Sequence, residues 1–131
     1  MNKEYQILII IFIHWIADFI LQTDEMAKNK STSNYWLAKH VLLYSNVWLL
    51  IGWFISFPVW SLNVEYITID NVWKFALITF VCHFITDYFT SRLNAKLWKE
   101  EKRHEFFIAI GGDQVLHYIQ LILTFYYLTG K

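Results

Sequence analysis

Four long apolar runs divide the chain, Tyr5 to Leu21, Leu37 to Phe57, Val72 to Phe89 and Phe106 to Leu128, with polar stretches between them. Each comes close to the ~20 residues a helix needs to cross ~30 Å of hydrocarbon. The pattern predicts an all-α fold, a four-transmembrane-helix bundle with helices at about 5–21, 37–57, 72–89 and 106–128. It forms one integral-membrane domain over 1–131, with connections at 22–36 and 90–105. Pro58 follows the second run, where it ends a helix without breaking one. No Gly/Ser linker or low-complexity tract suggests a second domain.

Composition strengthens this reading. Of 131 residues, 56% are hydrophobic and 20% aromatic, with seven Trp, well beyond an average soluble domain. The first run has only Lys3 ahead of it, lacks a small-residue cleavage site and contains Asp18, so it reads as a mature helix rather than a signal peptide. The net charge of zero gives no sign of a nucleic-acid partner. Cys82 is the single cysteine. Beside His83 it is a candidate soft ligand, but a small packing residue is the simpler account.

The placement of charge says more than its sum. Lys28, Lys30 and Lys39 follow the first run, and Arg92, Lys96, Lys99, Lys102 and Arg103 follow the third, against Lys3, Lys74 and Lys131 elsewhere. By the positive-inside rule the first and third connections are cytoplasmic and both termini lie outside. Trp36 and Trp98 then fall near one aromatic belt, Trp60 and Trp73 near the other. The stretch from Ser91 to Phe106 reads as a charged helical extension, with an interfacial amphipathic segment as the alternative.

Ionisable side chains inside the apolar runs cost on the order of 3 kcal/mol each at a helix centre, so they need partners. Here they follow a rule. His14 and Asp18, His83 and Asp87, and Asp113 and His117 are all spaced i, i+4, on one helix face. In the first and third helices His precedes Asp; in the fourth, which runs the other way, Asp precedes His. The pairs therefore share a layering, aspartates toward the cytoplasm and histidines one turn deeper. His40 opens the second helix at the same end. A single such pair could be a hydrogen bond or an interhelical clamp. Gly111 and Gly112 also leave open a start of the last helix at Asp113, as an N-cap.

Imidazole and carboxylate on facing helices are the ligands of bundle-core metal sites, and they suit Zn, Mn or Fe better than Ca or Cu(I). The expected cofactor is a divalent transition metal, zinc first with manganese or iron behind it, as one or two ions. His14, Asp18, His83, Asp87, Asp113 and His117 are the candidate ligands. Asp18, Asp87, Asp113 and His40 are the candidate catalytic groups, as bases, orienting carboxylates or an acid. Gln22 and Asp24 extend one face past Asp18, Gln114 neighbours Asp113, and Lys28 could hold an anionic head group. No G-x-S-x-G motif competes.

The stretches "HWIADFILQTDEMAKNK", isolated His40, "HFITD" and "DQVLH" carry a resemblance. The pattern H-x-x-x-D-F-x-x-Q, a second-helix His, H-x-x-x-D and D-Q-x-x-H resembles a small bacterial and phage integral-membrane family of unknown function. It is more loosely similar to membrane-bound metal-dependent hydrolases and to the helical zinc-dependent phospholipase C and nuclease P1 type of phosphoesterase. Position by position, the resemblance singles out His14, Asp18, Gln22, His40, His83, Asp87, Asp113, Gln114 and His117. It implies a bacterial cytoplasmic membrane.

The function these readings favour is a metal-dependent hydrolase of a lipid or lipid-linked substrate, acting at a phosphoester through metal-activated water. Metal-ion or proton transport is the first rival, ranked lower because the outer halves, "ILIIIFI" and "QLILTFYYL", are nearly without polar groups. A non-catalytic membrane interaction protein with a structural cluster is the second. Partners are the bilayer and the lipid substrate, with homo-oligomerisation left open.

Overall fold

The computed structural model describes residues 3–56 and 69–130. The expectations placed on Phe57, Pro58, Trp60 and Lys131 lie outside them. The elements are α1 (Lys3–Trp15), a π-helical segment (Ile16–Ile20), α2 (Asp24–Asn29), α3 (Asn34–Ser56), α4 (Ile69–Lys99) and α5 (Arg103–Thr129). All the described elements are helical.

Contacts at the two ends of the bundle fix the helix directions. Arg92, late in α4, donates from Nη2 to Asn34 Oδ1 at the start of α3 (2.8 Å), while Asn71, early in α4, donates to the carbonyl of Leu128 at the end of α5 (3.2 Å). Neighbouring long helices are thus antiparallel. α1 and its π segment pack against α3 and α5.

Among the described residues three helices, α3, α4 and α5, are long and apolar enough to cross a membrane, rather than the four expected. The first run falls short because its α-helix lasts 13 residues and then widens. Leu21 N–H reaches back five residues to the carbonyl of Ile16 (3.0 Å). Such π turns are rare and cluster at functional sites. This one keeps Ala17 and Asp18 buried while Phe19, Ile20 and Leu21 face outward.

Helix α4 runs on to Lys99, ten residues past the apolar stretch, so 90–105 is mainly helix and the connection shrinks to Glu100, Glu101 and Lys102. The reason is local: Arg92 to Lys99 is rich in good helix formers even though it is polar. The turn closes as a Schellman motif, with Lys102 N–H on the carbonyl of Leu97 (3.0 Å) and Glu101 N–H on that of Trp98 (3.2 Å). Glu101 takes the left-handed position, φ 58°, where glycine is usual. The Arg103 guanidinium then lies 3.7 Å over the Trp98 ring, pinning α5 to α4.

Polarity in the bundle is inverted relative to a water-soluble protein. Among the described residues eleven polar or charged side chains are buried against nine apolar ones, while Leu8, Phe12, Phe54, Leu123 and Tyr127 are exposed. Burying so many polar groups is favourable only where they satisfy one another. One apolar cluster, Ala17, Tyr44, Trp48, Ala76 and Leu121, joins the helices next to the histidines. At Gly52 helices α3 and α4 touch so closely that a Cβ there would stand 2.5 Å from Val72 Cγ1.

Candidate metal centre

Four elements each turn a polar face to one point. The polar stripe of α4 is the longest: Thr79, His83, Asp87 and Ser91, four residues apart, are all buried. The π segment supplies Asp18, α3 supplies His40 and α5 supplies His117 with Asp113. Asp113 is mid-helix, since α5 begins at Arg103, which removes the alternative of a helix start at this residue.

The histidines converge through Nε2. His40 Nε2 lies 3.1 Å from Asp18 Oδ1 and 3.4 Å from Asp87 Oδ2. His83 Nε2 is 3.5 Å from Asp18 Oδ1, 3.6 Å from Asp87 Oδ2 and 3.3 Å from His40 Nε2. His117 Nε2 is 3.1 Å from Asp87 Oδ1 and 3.4 Å from Asp113 Oδ1. The His83 and His117 rings stack with centroids 4.1 Å apart and planes 22° from parallel. The Nδ1 atoms of all three are enclosed without a hydrogen-bond partner among the described residues, so every polar interaction of these rings runs through the shared centre.

These atoms form two sets whose members lie within 4.8 Å of one another: Asp18, His40, His83 and Asp87, and Asp87, Asp113 and His117. Neutral imidazole and carboxylate at such spacing suit a divalent transition ion. His40, expected as a capping or acidic group, belongs to the first set.

His14 does not belong to either. Its Nε2 is 3.0 Å from Gln114 Oε1 and its Nδ1 is 2.7 Å from the Tyr44 hydroxyl. With the Gln114 carbonyl accepting from Nε2–H, the Tyr44 hydroxyl donates to Nδ1, and both ring nitrogens are engaged within the protein. Gln114 Nε2 in turn donates to Asp18 Oδ2 (3.3 Å) and Asp113 Oδ2 (3.1 Å). His14 Nε2 also lies 3.7 Å from Asp18 Oδ2, so the expected ligand His14 meets the carboxylates both directly and through Gln114 without joining either set. Gln114, expected to bind substrate, sits at the same junction.

Lys28 is exposed, and Lys30 enters the site instead. Its Nζ is 2.8 Å from Asp87 Oδ2. Burial pushes this ammonium down, but Asp87 and then Asp18 outweigh it and hold Lys30 above the usual lysine range. It arrives on a strap: Thr23 caps α2 by accepting from Met26 N–H (3.3 Å), Met26 is buried, and the turn after α2 carries Lys30 inward. Asp24 is exposed on α2 and does not extend the site, because the chain leaves the first helix at Leu21. Gln22 is half-buried, with Oε1 enclosed and without a hydrogen-bond partner among the described residues.

Two participants escaped sequence reasoning. Tyr44 is fully buried, bonds His14 and packs against the His83 ring, centroids 4.1 Å apart with the planes tilted by 31°. It stands four residues after His40, the same spacing that marks the other pairs. Lys30 carried no such signal, because helical periodicity does not extend into a turn. Cys82, half-buried and free, takes no part in either set.

No curated protein and no solved structure matches the chain, and the expected similarity to hydrolases and phosphoesterases is not shown. The model of an uncharacterised family does match, over residues 7–131 and hence over every residue of the cluster. The chain belongs to the DUF3307 family of proteins of unknown function.

Proposed function

We propose that this chain is a membrane-embedded, metal-dependent hydrolase acting on a lipid or lipid-linked substrate at a phosphoester. The observation that carries the reading is the convergence of three histidine Nε2 atoms and three carboxylates inside a bundle whose outside is apolar. On this reading α3, α4 and α5 cross the membrane and α1 with its π segment inserts beside them. The basic residues gathered at one end support an orientation with that end, and the site, at the cytoplasmic face of a bacterial membrane.

His40, His83 and His117 would hold one or two divalent ions with Asp18, Asp87 and Asp113, and zinc suits these donors. When bound, a divalent ion supplies the Lewis acidity that makes water nucleophilic near neutral pH. Among the carboxylates Asp113, 3.4 Å from His117 Nε2 through its enclosed Oδ1, would serve either as a ligand or as the base that takes the proton from an attacking water. Lys30, on its strap, is placed to receive the anionic phosphoryl oxygens. Gly111 and Gly112 present no side chain beside Asp113, which supports approach of a lipid from the bilayer.

The test is purification in mild detergent, elemental analysis, and hydrolysis of phospholipids and lipid-linked phosphodiesters with and without chelator. Chelator-sensitive hydrolysis and a stoichiometric transition metal are expected. Absence of bound metal sinks the reading.

Transport is the second reading, and one observation favours it. The outer half is less apolar than its sequence suggested: Gln120 Nε2 donates to Thr79 Oγ1 (3.3 Å) and to Thr124 Oγ1 (3.0 Å), one and two turns beyond the histidines. Metal or proton flux in liposomes, lost in Gln120→Leu, would favour this reading over hydrolysis.

A further inference from the structure

The two ligand sets share a single residue, Asp87, and its two oxygens are divided between them. Oδ2 faces His40 Nε2 (3.4 Å) and His83 Nε2 (3.6 Å), whereas Oδ1 faces His117 Nε2 (3.1 Å). A carboxylate that turns one oxygen to each of two neighbouring donor groups is the arrangement of a bridging ligand in two-metal sites.

The sets are unequal. The first offers four ligand atoms, all from buried side chains, with Asp18 Oδ1 completing the group. That is a full tetrahedral complement, the closed type of site. The second offers three, one fewer than a tetrahedral ion takes, so it leaves one coordination position unfilled by the protein. Three protein ligands with an open position is the form that catalytic sites take.

Charge separates the two sites as well. Asp18, Asp87 and Asp113 with the Lys30 ammonium leave two negative charges, so one divalent ion neutralises the cluster. A second makes it cationic, so it binds less tightly and gives the site an attraction for an anionic substrate. Lys30 touches Oδ2, the oxygen of the first set, and leaves Oδ1 free of any ammonium.

We infer that the cluster is a two-metal centre of unequal sites bridged by Asp87: a closed, tight site formed by Asp18, His40, His83 and Asp87, and an open, weaker one formed by Asp87, Asp113 and His117. This rests on the metal-dependent reading above and assigns its ions.

The experiment takes the full chain in detergent, strips it with chelator and titrates it with Zn²⁺ by equilibrium dialysis, then repeats the titration with Mn²⁺ followed by electron paramagnetic resonance. About two ions per chain are expected, bound in separate steps, with spin coupling between the Mn²⁺ ions. Asp113→Asn should lose the weaker step and the coupling while keeping the tighter step, and His83→Gln should lose the tighter one. Circular dichroism melts confirm that each variant folds, and Asp113→Asn, at the more open site, keeps the test decisive if His83→Gln does not fold. One ion per chain, with Asp113→Asn binding as the parent does, overturns the two-metal assignment and leaves a one-metal hydrolase standing. No ion at all overturns both.

Discussion

At the charged end of the bundle, His40, His83 and His117 meet three carboxylates and an ammonium. One turn away, Ala17, Tyr44, Trp48, Ala76 and Leu121 pack without any charge between them. The first region is held by convergent hydrogen bonds and ion pairs between groups buried in the bundle, so each partner depends on the others. The second is held by close approach, with Gly52 admitting Val72 and small residues at Ala17 and Ala76. The comparison teaches that the same four elements carry a chemically specified end and a sterically specified one. Each should fail to a different kind of substitution.

The largest effect should come from breaking the charged end. Asp87→Ala removes the acceptor shared by His40, His83, His117 and Lys30, and a buried partner lost in this way costs about 3–5 kcal/mol. Unfolding in detergent measures it, and a loss below ~1 kcal/mol would mean the charged end is not held by this carboxylate. The steric end should break less sharply. Gly52→Ala places a Cβ against Val72 and should cost about 1–3 kcal/mol by overpacking. Val72→Ala in the same chain should restore most of it, and a double-mutant cycle without coupling would show that the helices do not meet there.

Smaller effects test the border between the regions. Tyr44→Phe removes the hydroxyl that satisfies His14 Nδ1 and should cost about 1 kcal/mol, with metal content unchanged because neither residue is in a ligand set. A loss of metal as complete as that of His83→Gln would move His14 among the ligands. Least of all, Glu101→Gly should raise stability by up to ~1 kcal/mol, since glycine takes the left-handed turn position without steric cost. A fall in melting temperature would show that the Glu101 side chain contributes more than its backbone costs.

Much of this arrangement was legible because helices repeat. The i, i+4 pairs at 14 and 18, 83 and 87, and 113 and 117, reversed with chain direction, predicted one polar layer, and the fold does bring Asp18, Asp87, Asp113, His83 and His117 together with His40. What periodicity cannot express was missed. The π turn at Ile16 has no composition that marks it, and it ends the first α-helix early. Hydropathy stopped the third helix at Phe89 because it weighs transfer to lipid, whereas helix formation from Arg92 to Lys99 needs only good propensity and caps. Lys28 and Lys30 are indistinguishable as lysines near an interface; only the cap at Thr23 and the burial of Met26 decide which one points inward.

The strap that brings Lys30 to Asp87 has a consequence for how the protein comes into being. Three carboxylates drawn together as the helices pack would repel one another. Lys30 is a cation made with the chain itself, so the docking of one short turn supplies a positive charge to the cluster as it assembles.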